Sequence, residues 1–276
     1  MDQTPIDNKD RFAFGANWAR FLSILNDERI AAAEKSLQNT LGVTELKDMA
    51  FLDIGSGSGL FSLAARRLGA RVFSFDYDPQ SVACTVELKS RYYPRDDSWI
   101  VEHGSILDQN FMDSLGIYDV VYSWGVLHHT GQMWNAIEIA SQRVSKDGLL
   151  YLAIYNDQGV ISHLWWVIKY IYNRLPKILR HPYALSMKLL SNMLVIFKYT
   201  IKLSPMTAIR PLLLNKKNRG MSWKYDVYDW IGGFPFEFAR YEVLKEYLGL
   251  RGFDLVGGTP GRSAACHEMI FKRRTQ

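Results

Sequence analysis

Phe51–Phe61 reads FLDIGSGSGLF, with an apolar run that closes on Asp53 and then three glycines at alternate positions, Gly55, Gly57 and Gly59. Upstream, "MAFLDI" (Met49–Ile54) is a continuous apolar segment of strand length. Downstream, Leu60, Leu63, Ala64 and Leu68 recur at helical spacing. Strand, glycine turn, helix is a unit that brings backbone close to a ligand. A dinucleotide fingerprint needs its third glycine where Leu60 stands, and a phosphate loop needs a Gly-Lys-Ser/Thr that is absent. The pattern is D-x-G-x-G-x-G, and it offers no lysine for a polyphosphate.

The alternation continues outward. "RVFSFD" (Arg71–Asp76) is a second strand. Asp78 and Pro79 supply an N-cap and a first-turn proline for a helix to about Arg91. "WIVEHG" (Trp99–Gly104), "YDVVYS" (Tyr118–Ser123) and "LLYLAIY" after Gly148 are the third, fourth and fifth strands. Between the last two, Met133, Ile137, Ala140 and Val144 line a helix. A helix near Glu237–Leu250 and strands at "FDLVGG" and "HEMIFK" follow. Ahead of the loop, Phe14, Trp18, Phe21 and Leu22 form one helical stripe, and Ile30, Ala33, Leu37 and Leu41 another. Alternating strands and helices build a mostly parallel sheet covered on both faces.

The stretch "LDIGSGSGLFSLAARRLGARVFSFDYDP", with "WGVLHHTG" and "DGLLYLAIYN", resembles the class I S-adenosylmethionine-dependent methyltransferases, over about residues 45–156. In flavour it is similar to the ubiquinone-biosynthesis O-methyltransferases. The resemblance implies an α/β, Rossmann-like sheet of seven mostly parallel strands; the N-terminal helices and a helical insertion after the fifth strand, which lies outside the resemblance, complete the expected fold. It implies S-adenosyl-L-methionine as cofactor and S-adenosyl-L-homocysteine as product. Gly55, Ser56, Gly57 and Gly59 would then hold the amino acid end of the cofactor through backbone N–H groups. Asp53 would face its amino group, directly or through water. Asp76 would accept both ribose hydroxyls, and Tyr77 would pack on the adenine. Ser105 and Ile106 stand where many relatives carry an adenine-contacting acid after the third strand. Ser123 and Trp124 would lie under the methionyl part, and Trp18 on a helix that closes over the cofactor.

For chemistry, His128 and His129 follow the fourth strand, where ligands of open α/β sheets sit. Imidazole suits proton removal from a phenol or conjugated hydroxyl. His129 falls on the histidine of a Glu-His pair in the ubiquinone O-methyltransferases, and His128 replaces the glutamate, so no metal site is expected. A purely structural turn is the competing reading of this pair. Tyr155, Asn156 and Trp165 are the candidate acceptor-binding residues, whereas His267 and Glu268 read as structural or surface groups.

The 276-residue chain is 48% hydrophobic and has a net charge of +5. From Gln158 to Tyr225 there are twelve Lys or Arg and no Asp or Glu, which leaves the remainder at −7. The domain reading follows: residues 1–157 are N-terminal helices and cofactor core, 158–225 a basic helical insertion or substrate cap, and 226–276 the rest of the core. Leu164, Ile168, Ile171 and Leu175 line one insertion helix, and Leu185, Leu189, Met193 and Ile196 another. A lid shaping a pocket, a membrane-surface contact, a nucleic-acid track and a homodimer interface compete for this segment. The apolar content and spaced charges favour the first two over nucleic acid. Two cysteines, Cys84 and Cys266, and a polar N-terminus point to a cytoplasmic protein, peripheral at the inner membrane surface if the segment contacts lipid. The expected reaction is O-methylation of a small hydrophobic or anionic biosynthetic acceptor. N-methylation of a small molecule and RNA methylation are the alternatives.

Overall fold

The computed structural model describes residues 15–201, 231–263 and 265–275. Phe14 of the first stripe and the insertion's cations from Lys202 to Lys224 lie outside the described residues. The described chain divides into two compact units, 15–163 with 235–275, and 164–201 with 231–234.

The first unit is built on a seven-stranded sheet: β1 (Ala50–Ile54), β2 (Arg71–Asp76), β3 (Trp99–His103), β4 (Tyr118–Trp124), β5 (Val144–Tyr155), β6 (Phe253–Thr259) and β7 (Cys266–Arg273). Their order is 3-2-1-4-5-7-6, and β7 runs antiparallel to both neighbours. Helices α1 (Gly15–Ser23), α2 (Asp27–Leu41), α3 (Leu60–Arg67), α4 (Pro79–Tyr92), α5 (Gln109–Ser114), α6 (Met133–Gln142) and a helix Tyr241–Gly249 cover the two faces. The central strands are nearly continuous apolar runs because both faces are buried. Leu52, Ile54, Val121, Leu150 and Leu152 feed one core, and Phe51, Val72, Val120, Tyr122 and Tyr151 the other. The stripe Ile30, Ala33, Leu37 and Leu41 is buried on α2, as its period requires.

Two boundaries differ from the sequence reading. β5 starts at Val144 rather than near Leu149, because Val144 already pairs with Tyr118 before a register shift. The helix expected from Glu237 starts at Tyr241. Residues 237–239 instead spend their backbone on sheet-like bonds: Glu237 N to His128 O (2.9 Å), Ala239 N to Tyr155 O (3.0 Å) and Asp157 N to Ala239 O (3.0 Å).

α7 (Val160–Arg174) and α8 (Lys177–Ile201) follow β5. Of their two apolar lines, Ile168 packs on a buried cluster, Leu175 is half-buried and most of the rest is exposed. Leu164 and Ile171 on α7, and Leu185, Leu189 and Met193 on α8, are all exposed, while Tyr172, Ala184 and Ile231 are buried together in the second unit. Ile196 is outside the described side chains.

Candidate functional site

All three loop glycines have left-handed backbone, with φ of +79° at Gly55, +56° at Gly57 and +77° at Gly59. Gly55 N and Ser56 N both donate to Phe75 O (2.9 and 3.1 Å), which folds the loop across the end of β2. All three are required twice over, Gly59 because a Cβ there would stand 2.9 Å from the Thr85 methyl and 3.0 Å from its Cα. A Cβ on Gly55 would stand 2.5 Å from both methyls of Val126, and one on Gly57 would stand 2.9 Å from the Trp18 indole. Trp18 therefore lies on the loop itself. Its helix is tethered by Gly15 N donating to Asp78 Oδ2 (2.8 Å), while Asp78 Oδ1 caps α4 through Gln80 N (2.9 Å). The Ser56 and Thr85 hydroxyls are hydrogen-bonded at 2.9 Å.

Asp76 accepts from Gly57 N and from Asp78 N, each at 2.9 Å. Burial nonetheless raises its pKa to about 6 against the pull of these donors. Asp53 is 2% exposed. It accepts from the Ser62 hydroxyl, which accepts from Ser74 Oγ (2.8 Å), which accepts from Trp99 Nε1 (2.9 Å). Burial, and to a smaller extent the Asp76 charge, raises the Asp53 pKa to about 7. The carboxylate expected to face a ligand is thus the end of a buried polar chain, and contact by Asp53 itself has to pass through the loop or a water. Ser62 and Ser74 were not singled out by sequence; the signal was a serine inside each of two otherwise apolar segments.

On the other side of the loop, Tyr77 is exposed and His103 Nε2 donates to its carbonyl (2.9 Å). Ser105 closes a turn, accepting from Leu107 N (3.2 Å). The Ile106 side chain is in the core, so a ligand at this turn would meet its backbone. The Ser123 side chain is likewise spent inside the sheet. It is fully buried and donates to Ile54 O (3.2 Å), pinning β4 to β1. Trp124 keeps a solvent-exposed indole and donates to Glu268 Oε1 (3.3 Å).

Beyond β4, a short 3-10 turn holds Leu127–His129. His128 is buried, and its Nδ1 accepts from Tyr155 N (3.3 Å), so its proton is on Nε2. His129 is half-buried and the reverse holds: its Nδ1 donates to Pro235 O (2.6 Å), so in the neutral ring the lone pair is on Nε2. The Tyr155 ring lies 4.0 Å from the His128 ring and 5.0 Å from Phe236. Glu237 accepts twice from Met133 N at the start of α6 (3.0 and 3.1 Å), and burial raises its pKa to about 7. Asn156 is tied to Ser263 O (3.3 Å). Trp165 belongs to the second unit and is half-buried there. His267 spends both nitrogens, accepting from Gly261 N (2.8 Å) and donating to Ala239 O (3.0 Å), and burial lowers its pKa. Among the described residues no three His, Cys, Asp or Glu side chains are placed to hold a metal ion.

Comparison with known proteins agrees with this arrangement. Residues 25–231 match the family described as "Methyltransferase domain", three quarters of the chain, so the protein belongs to that family. It is 27% identical over 139 residues to the mitochondrial ubiquinone biosynthesis O-methyltransferase of Bos taurus, covering 49% of this chain and 37% of that protein. The chain thus spans well under two thirds of the length of that relative. Among solved structures it resembles magnesium protoporphyrin IX methyltransferase from Synechocystis PCC 6803 with bound SAH (14% identity, 89% of this chain and 82% of that chain, TM-score 0.51). It also resembles PKMT2 from Rickettsia typhi (12% identity, 96% and 55%, TM-score 0.59). The structural likenesses show the class I methyltransferase fold, and the S-adenosylmethionine cofactor goes with membership of the methyltransferase-domain family.

Proposed function

We propose that this member of the methyltransferase-domain family O-methylates a small, hydrophobic, hydroxyl-bearing acceptor, with His129 as the base. When bound, S-adenosylmethionine supplies an electrophilic methyl on a sulfonium. The chain's residues fit it: the loop carries no lysine for a phosphate, and its glycines let a ligand approach the backbone closely, while the N–H groups of Gly55, Ser56, Gly57 and Gly59 are bonded within the fold. Asp76 stands where a carboxylate accepts the two ribose hydroxyls, with Tyr77 beside it for the adenine. Trp18 closes the loop from above and excludes water. Asp53 adds negative charge beneath the cofactor's ammonium without touching it.

The observation that carries the base assignment is the opposite tautomers of the two histidines. Pro235 O fixes the His129 proton on Nδ1, so the basic lone pair is on Nε2, the nitrogen that takes the acceptor's hydroxyl proton as the new C–O bond forms. His128 has its lone pair committed to Tyr155 N and acts as a positioning residue. Tyr155 and Phe236 give an apolar wall. The test is methyl-label incorporation into an extract of cells that make the protein. Replacing His129 by Ala lowers turnover roughly 10²–10⁴-fold with S-adenosylhomocysteine affinity unchanged. Unchanged turnover removes His129 as base.

A membrane-surface location for the acceptor is favoured by α7 and α8. Of the twenty large apolar side chains exposed in the described chain, twelve lie between Val160 and Met193. Val160, Leu164, Val167 and Ile171 share one helical face, and Ile178, Leu185 and Leu189 another. With no acid from Gln158 to Tyr225, these are basic, outward-facing apolar surfaces suited to an anionic bilayer on its cytoplasmic side. Among the described residues no helix is long and apolar enough to cross a membrane.

A further inference from the structure

Register places four residues in one transverse row at the carboxyl end of the sheet: Trp124 pairs with Ala153, Ala153 with Glu268, and Glu268 with Thr259. Paired residues share a face. On that face an open groove runs between the C-terminal end of α2 and strands β6 and β7, lined by Asn39, Thr40, Gly42, Thr259 and Glu268, with apolar sides from Val256 and Ile270.

The charge in this groove has one sign. Glu268 is held by two donors of the sheet, Trp124 Nε1 at 3.3 Å on one oxygen and Tyr151 OH at 3.1 Å on the other. A carboxylate offers about four lone-pair sites, so two donors orient it without saturating it. Burial, and then the Glu268 charge, pushes the Tyr151 phenol well up, so Tyr151 stays a donor. Among the described residues no lysine or arginine pairs with Glu268, and none lines the groove. One wall is the last turn of α2, capped by Gly42 with φ +69°, and a helix C-terminus is the negative end of its dipole. An oriented carboxylate and a helix C-terminus together favour a cation and oppose an anion.

The groove is also within reach of the proposed chemistry. Ala153 and Tyr155 are two residues apart on β5, about 7 Å. Tyr155 packs on both histidines. Glu268 thus stands one strand across and two residues back from the tyrosine that packs on the histidines.

We propose that this groove is an acceptor subsite in which Glu268 binds an ammonium group on the molecule being methylated, a specificity-determining contact apart from the reacting oxygen. The proposal rests on the methyl-transfer reading and narrows it, since it takes amine-bearing hydroxylated acceptors and turns away anionic ones.

The test uses the full chain saturated with S-adenosylhomocysteine and three probes of one shape: 3,4-dihydroxybenzylamine, 3,4-dihydroxybenzyl alcohol and 3,4-dihydroxybenzoate. Calorimetry is expected to give the amine at least about ten-fold tighter binding than the benzoate, the scale of one charge-assisted hydrogen bond. Glu268→Gln is expected to erase that ratio. Thr259→Lys, an exposed change that leaves Glu268 in place, is expected to reverse it. Equal binding of amine and benzoate, a preference unchanged in both variants, or no binding of any probe overturns the subsite. S-adenosylhomocysteine binding is measured first: if it is intact, those results overturn the subsite alone, whereas its absence from the unaltered protein overturns the methyl-transfer reading beneath it.

Discussion

The glycine loop and the histidine loop lie side by side, joined where Val126 packs on Gly55, yet they are built in different ways. The glycine loop is local. Its strand, turn and helix fall within Ala50–Arg67, and its shape follows from three residues that alone tolerate their backbone angles. The histidine loop is assembled from distant chain, with Tyr155 setting one tautomer and Pro235 the other. A local device tolerates little substitution but is conformationally self-sufficient. An assembled one depends on backbone groups whose donors and acceptors no residue type announces.

Replacements that separate the two loops test this contrast. The largest effect is expected from Gly55→Leu, which meets the Val126 methyls and a left-handed backbone: S-adenosylhomocysteine binding by calorimetry falls below detection. Asp76→Asn is smaller, weakening that binding about 10–100-fold through two altered hydrogen bonds. The same residue gives a pH signature. Its pKa is raised to about 6 and the carboxylate is the form that accepts both hydroxyls, so affinity in the unaltered protein falls as pH drops through 6, and the Asn variant shows no such fall. On α8, the double change Leu185→Glu and Leu189→Glu is expected to lower co-flotation with phosphatidylglycerol vesicles several-fold, with S-adenosylhomocysteine binding intact. Flotation unchanged by it would remove the lipid reading.

The smallest effect belongs to Glu237, behind the histidines. Its folded pKa is raised to about 7 from 4.5, so the folded state favours the protonated acid. Its contribution is present in full below pH 4.5 and is lost as pH rises through 7. Glu237→Gln therefore stabilises the protein by about 1–2 kcal/mol at pH 8 and leaves it unchanged near pH 4, read by urea unfolding. Equal effects at both pH values would show that Glu237 is not the titrating group.

The same contrast explains what could be read beforehand. β1 to β4 were legible because strands buried on both faces are plain apolar runs, and Gly55, Gly57, Gly59 and Asp76 because the turn demands those residue types. At Ser123 and Ile106 spacing gives a position and not the side on which the side chain is spent, and both side chains are buried. Glu237 read as a helix start because its acidic, aromatic surroundings mimic one; bonds to residues 128 and 155 hold that segment extended. The apolar lines of α7 and α8 gave the period, and only burial shows that they face mostly outward. Glu268 was passed over because its neighbours Trp124 and Tyr151 are more than a hundred residues away in sequence.

The most direct measurement is a label partition. The protein is incubated with methyl-labelled S-adenosylmethionine and an extract of cells that make it, and the products are divided into RNA, protein, water-soluble and organic fractions, the last extracted at alkaline pH, where an amine is neutral. Label in the organic fraction, lost with His129→Ala, is the predicted result. Label that enters RNA or protein, or no transfer to any fraction, contradicts the account.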